Sequence, residues 1–236
     1  MHKTNQLLSF IALGFTDLVM LTSCENIIFN QGVNEGVIHY RIDYPAIAKD
    51  NYMLELMPKE MKTSFANGEF RSDITAGMGL FRTSIICNDD QEELVHSVKM
   101  LNKKYASNLS QSDIIKINPH FNDFKITKTG NTKTVAGYDC KEAIVNFRGD
   151  SAWQFRLYYT DQIKIKNPNR HSPFHEIDGV LMEYEMINYQ THMRFIAEKV
   201  EEIEVEASSL KLEDDYEIVS ADKLNGELEA IFAKVK

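Results

Sequence analysis

The feature that most constrains the fold is strict alternation of apolar and polar side chains in three separate stretches. They read VIHYRIDY from Val37, WQFRLYYT from Trp153 and VLMEYEM from Val180. Successive side chains of a β-strand point to opposite faces, so this period of two is typical of strands buried on one face. Such strands usually belong to antiparallel sheets. The side chains expected to face the core are Ile38, Tyr40, Ile42 and Tyr44, then Trp153, Phe155, Leu157 and Tyr159, then Val180, Met182, Tyr184 and Met186.

Further stretches favour strands, and short turns separate them. Asn67-Gly68 and Gly130-Asn131 are the kind of two-residue connection that joins antiparallel neighbours, whereas parallel neighbours need long crossovers. We expect a meandering sheet of about eight to eleven strands, which twist should curl toward a barrel or half-barrel. The additional predicted strands cover residues 62–66, 69–76, 80–87, 94–105, 123–129, 131–135, 139–147 and 192–205.

Three segments favour helix. AKDNYMLELMPKEM places Met53, Met57 and Met61 at helical spacing behind a cap at Asp50, although Pro58 must end or kink such a helix. SQSDIIKI is the second segment, and the third runs from about 221 to 234 behind Ser220. An antiparallel sheet with a few helices on its concave side is an α+β architecture.

The N-terminus contains the longest apolar run, LLSFIALGFTDLVML, which follows Lys3 and carries Asp17 near its end. A transmembrane helix needs about 20 apolar residues, so this run fits a signal peptide better. It ends in LTSC at Cys24, which resembles the bacterial lipobox. That resemblance implies cleavage before Cys24 and acylation of its thiol. The alternative is an uncleaved apolar N-terminus with an incidental buried cysteine.

The boundaries that follow are a lipoprotein signal peptide at 1–23, a lipidated tether at 24–34 and a single domain at 35–236. The net charge of −9 argues against electrostatic binding of nucleic acid. Cys87 and Cys140 are either two buried thiols or a disulfide formed in an oxidising periplasm.

The order of elements is similar to that of Gram-negative envelope lipoproteins with a LolA/LolB-like, lipoprotein-carrier domain. The similarity rests on the lipobox, the first strand GVIHYRIDYP, and phrases such as VAGYDCKEAIV and DGVLMEYEM. It implies an incomplete barrel that holds a lipid or acyl chain, and a membrane-anchored protein that faces the periplasm from the outer or inner membrane. Methionine adapts to variable apolar shapes, so the candidate ligand-binding residues are Met53, Met57, Met61, Met182, Met186 and Met193. Their alternative role is to fill an ordinary core.

Motifs for other chemistry are missing from the sequence. His171 and His175 have the spacing of a helical metal pair, but Pro168 and Pro173 make that stretch a loop. The acidic run near Glu202 lacks the glycine and Asp/Asn pattern of a calcium loop. Nucleophile and phosphate-binding signatures are absent. We therefore expect no metal, no cofactor and no enzyme activity. Three classes stay open: a ligand-binding lipoprotein, a structural or interaction lipoprotein of the envelope, and an unrecognised hydrolase.

Overall fold

The computed structural model of the protein describes residues 32–88, 94–118, 120–148 and 153–233. The predicted signal peptide, Cys24 and most of the predicted tether lie outside these residues. The strands are β1 (Glu35–Asp43), β2 (Glu60–Ala66), β3 (Glu69–Ala76), β4 (Phe81–Cys87), β5 (Leu94–Met100), β6 (Lys103–Leu109), β7 (Phe124–Val135), β8 (Tyr138–Phe147), β9 (Trp153–Thr160), β10 (Val180–Asn188), β11 (Thr191–Glu201) and β12 (Glu217–Ile218). The helices are α1 (Gln111–Ile117) and α2 (Ala221–Ala233), and short 3₁₀ helices span Tyr52–Glu55, Gly77–Gly79 and Ala207–Leu210.

All described strands belong to one sheet, in the order β12-β6-β5-β4-β3-β2-β1-β11-β10-β9-β8-β7. Every neighbouring pair is antiparallel except β12 with β6. β1 lies in the middle, where it joins the meander β1–β6 to the meander β7–β11. Within the described residues β6 and β7 do not pair with each other, so the curled sheet is not closed. This confirms the predicted α+β class with a large, curled antiparallel sheet.

The strand faces predicted from alternation are confirmed for β1 and β9. In β10 the predicted alternation is interrupted, because the register shifts between Leu181 and Glu183 and residues 180–183 are all buried. Ile38, Tyr40 and Ile42 are buried in one cluster with residues of β2, β10 and β11. Phe155 and Leu157 are buried in a second cluster, whereas Arg156 between them is exposed. The register explains the first cluster, because Tyr40 lies opposite Met61 and Ile42 lies opposite Phe195.

Several predicted strand boundaries are wrong. The predicted strand 94–105 is two strands, because the chain turns at Leu101, an exposed apolar residue with φ 54°. The predicted strands 123–129 and 131–135 are one strand, β7, whose register shifts between Lys128 and Thr132. Gly130 at φ 53° bends β7 there without breaking it.

The predicted helix over 48–61 is also wrong. Only Tyr52–Glu55 is helical, as a 3₁₀ helix, and its cap is Asn51, whose side-chain oxygen accepts from the Met53 amide at 2.9 Å. The chain then extends, because Pro58 cannot continue a helix and β2 pairs on both sides from Glu60. Met61 therefore lies in a strand and shares no helical stripe with Met53 and Met57.

The two remaining helices pack on one face of the sheet. α1 has a capping box between Ser110 and Asp113, and its Ile114 packs against Leu94 and Leu109. α2 places Leu224 and Leu228 against Val98. The Ser220 hydroxyl accepts from the Lys223 amide at 3.3 Å, which confirms the predicted cap. Neither of the helices in the described residues is long and apolar enough to cross a membrane.

Candidate functional site: an apolar cavity on the concave face

A cavity of about 250 Å³ lies against the face of the sheet that carries the apolar alternation. Seven strands contribute to its wall, β1 to β5 together with β10 and β11. A single cavity bordered by that many strands requires the sheet to curve around it, so this face is concave. We call this space the concave cavity. Its wall includes Tyr40, Phe70, Ile85, Leu94, Tyr184 and Phe195.

The opposite wall of the cavity is the connection between β9 and β10, residues 161–179, which we call the inner cover. Phe174 and Ile177 anchor it, and both are almost completely buried in the cluster of β8 and β9. The Asn169 amide donates to the carbonyls of Ile177 and Gly179, both at 2.8 Å, and so ties the cover to itself. Residues 168, 169, 171, 172 and 174 face the cavity.

The inner cover is the main feature that the sequence analysis missed. The sequence predicts a loop at NRHSPFHEI and indicates only its two histidines as candidate functional residues. The length of the segment is the signal that indicates such a cover. The connection between β9 and β10 is far longer than a hairpin connection and contains the bulky apolar Phe174.

The six candidate methionines divide into two groups. Met61, Met186 and Met193 line the concave cavity. Met57 and Met182 are buried in the adjoining core cluster without lining the cavity, and Met53 is half-buried outside it. The structure therefore brings five of the six into or against one core cluster, with three of them at the cavity wall.

Two larger recesses flank the cavity. One of about 680 Å³ shares Leu94, Met186 and Asn188 with it and reaches α1 and His96. Burial lowers the pKa of His96 to about 4, and its Nε2 lies 2.9 Å from the Thr83 hydroxyl. The other recess, an open groove of about 1,100 Å³, lies between α1 and the inner cover. The concave cavity thus lies beside routes toward solvent.

The histidines of the inner cover make ordinary contacts. The His175 ring stacks on Phe121 with 5.9 Å between centroids, and His171 Nδ1 lies 3.3 Å from the Gln111 side-chain oxygen. Among the described residues, no group of three or more His, Cys, Asp or Glu side chains is arranged to hold a metal ion. Cys87 and Cys140 are free thiols.

The opposite, outer face of the sheet carries buried charges that form ion pairs. Glu183 is nearly buried between Lys133, at 2.6 Å, and Arg194. Arg71 is also buried and reaches Asp73 and Glu213 at 3.1 and 3.2 Å. Each of these charges has an opposite charge beside it, which accounts for its burial.

Residues 51–164 match a family model described as a domain of unknown function (DUF4412). The matched range includes β2 to β9 and the start of the inner cover, whereas β1, β10 and β11 lie outside it. No curated protein matches the chain.

Proposed function

We propose that the chain is a non-catalytic lipoprotein of the cell envelope that binds a lipid or acyl chain in the concave cavity, in the manner of LolA/LolB-like carrier domains. The observation that carries the proposal is the concave cavity itself. Strands distant in sequence line it with apolar side chains, three of them methionines. Flexible thioethers suit a site that accepts variable apolar shapes.

The volume of the cavity limits the size of the ligand that it can hold without a structural change. A cavity of about 150 Å³ accommodates benzene, so about 250 Å³ accommodates roughly ten non-hydrogen atoms. A long acyl chain therefore needs more room, which the recess beyond Met186 and displacement of the inner cover would supply. In this proposal the inner cover acts as the lid of the cavity.

Binding of an uncharged, fluorescent naphthylamine probe to the full chain tests the proposal. Met186→Gln should weaken probe binding about fivefold or more, because the amide adds a polar group to the cavity wall. The matched control is Met78→Gln, which makes the same change at a fully exposed methionine and should leave the affinity unchanged. A wild-type chain that binds no probe would remove the basis for the proposal.

The membrane anchor is proposed at Cys24. A diacylated and N-acylated cysteine buries far more than the single chain that gives only marginal binding. Cys24→Ala should leave unprocessed precursor or release the protein from the membrane fraction, and palmitate labelling should disappear. Labelling that persists in Cys24→Ala would show that the anchor is elsewhere or absent.

The second candidate function is a structural or interaction lipoprotein, and β7 is the observation that favours it. β7 is the last strand of the sheet order, and no described strand lies beyond it. Unpaired edge strands accept extended segments of partners by strand addition. A partner bound there would slow amide hydrogen exchange in β7, whereas a ligand in the concave cavity would slow it in the inner cover.

A further inference from the structure

The wall of the concave cavity carries no formally charged side chain among the described residues. Its lining includes neither Asp, Glu, Lys nor Arg. The titratable groups that face the cavity are Tyr40, Cys87, His171 and Tyr184. The selectivity of the cavity for charged or uncharged ligands depends on the protonation of these four.

All four groups are neutral near neutral pH. Burial raises the pKa of the Cys87 thiol to about 12. It also raises the pKa of Tyr40 and that of Tyr184 above the usual value of a tyrosine. Burial also lowers the pKa of His171, which keeps its ring neutral. The described wall therefore offers neither a fixed cation nor a fixed anion to a ligand.

Several polar groups of the wall are already committed to the protein. The Thr63 and Ser72 hydroxyls lie 2.8 Å apart in a mutual hydrogen bond. Tyr40 donates its hydroxyl to the Leu181 carbonyl at 2.9 Å, and the Asn169 amide is held by the two carbonyls of the inner cover. A buried anion would have to break these bonds to gain these hydrogen-bond donors.

Arg170 is a cation whose charge acts on a group of the cavity wall, Cys87. It is exposed and lines the open groove outside the inner cover, and its charge lowers the pKa of Cys87 by less than burial raises it. At Cys87, desolvation therefore outweighs the field of Arg170.

On the basis of the proposed function, we infer that the concave cavity selects ligands whose buried part is uncharged, such as alcohols, esters and glycerides, and rejects free fatty-acid anions. An ionised carboxylate that enters an apolar site without a partner loses its hydration and gains no compensating charge. An ester or hydroxyl loses much less. The same reasoning rejects alkylammonium ions.

Displacement of the naphthylamine probe by an eight-carbon series tests this inference on the full chain near neutral pH. Octanol, methyl octanoate, octanoate and octylammonium share a chain length, and octanol has about the number of heavy atoms that the cavity holds. Octanol and the ester should displace the probe at concentrations at least about tenfold lower than either ion. Octanoate that displaces the probe as well as octanol does, or better, would overturn the inference.

A second test adds a positive charge to the cavity wall and compares it with the same charge added at an exposed site. Met186→Lys should improve displacement by octanoate and weaken displacement by octylammonium, whereas Met78→Lys should leave the wild-type order unchanged. A chain that binds no probe at all would overturn the proposed function and the inference together. Binding with equal displacement across the series would overturn the inference alone.

Discussion

The two faces of the sheet are covered by irregular segments that differ in chemistry. The inner cover, residues 161–179, contacts the concave face through Phe174 and Ile177 and leaves an apolar cavity beside it. The outer cover, residues 207–216, contains the buried Leu210 and contacts the opposite face mainly through an ion-pair network. In that network Glu213 bonds Arg71 and also Arg82, at 2.5 Å, and the Lys211 carbonyl accepts from Arg71 at 2.7 Å.

The two covers differ in whether a ligand can replace their contact with the sheet. Apolar packing is non-directional, so a ligand of similar surface can replace Phe174 or extend the space beside it. A buried guanidinium requires its own partners in a fixed geometry, and its loss leaves uncompensated charge. We infer that the outer cover fixes the fold and the inner cover regulates access.

The largest expected effect on stability comes from a substitution in the core between β8 and the inner cover. Phe155→Ala should lower the free energy of unfolding by about 4 kcal/mol, because Phe155 is buried between β8 and the inner cover. Arg156→Ala, at the exposed neighbour, should change it by less than about 0.5 kcal/mol. Equal urea midpoints for the two variants would show that the strand faces are misassigned.

Sequence reasoning reaches the strand faces of β1 and β9 and three methionines of the cavity wall, but not the strand order or the inner cover, for physical reasons. The alternation around Tyr40 and Phe155 is a local pattern, so it can be recognised in the sequence without knowledge of the fold. The position of β1 between β2 and β11 depends on long-range pairing, which local periodicity does not specify. Met61 shows the limit most clearly, since its spacing from Met57 suits a helix while its pairing with Tyr40 makes it a strand residue.

The outer cover supplies the next prediction. Arg71→Ala should lower the free energy of unfolding by about 3 kcal/mol, because it leaves Asp73 and Glu213 without their buried partner. Probe affinity in the absence of urea should stay at the wild-type value, since Arg71 lies on the face away from the cavity. Loss of probe binding in folded Arg71→Ala would mean that the two covers are coupled.

The inner cover should respond in the opposite way. Phe174→Ala should lower the free energy of unfolding by about 3 kcal/mol, somewhat less than Phe155→Ala, because a segment without strand pairing can settle into part of the space that the ring vacates. The enlarged cavity should also bind a longer alcohol, dodecanol, more tightly than the wild type does. Displacement curves and urea midpoints measured on the same preparation check both effects. Weaker dodecanol binding would contradict the assignment of this segment as a lid.

The smallest effect concerns pH. Burial alone would raise the pKa of Glu213, but hydrogen bonds from the backbone and from Arg71 hold it below its usual value. A depressed carboxyl pKa stabilises the fold above the pKa of the unfolded chain, near 4.3, and this stabilisation is lost as pH falls through the folded value. Glu213 is partly exposed and screened by solvent, so the contribution is about 1 kcal/mol or less.

Urea midpoints of the wild type and Glu213→Gln, compared at neutral pH and near pH 4, isolate this contribution. Acid should destabilise the wild type more than the variant, while His96 and the other titrating groups affect both chains alike. An identical loss in the two chains would show that Glu213 does not link the outer cover to pH.

Native mass spectrometry of the full chain, released gently from membranes, tests the central claim most directly. The proposed function, together with the inferred selectivity of the cavity, predicts a native mass that exceeds the denatured mass of the acylated protein by one uncharged lipid. Met78→Lys should retain this lipid, and Met186→Lys should carry less of it. A chain that carries no lipid and takes up none from added octanol or glyceride would contradict the claim that the concave cavity is a binding site.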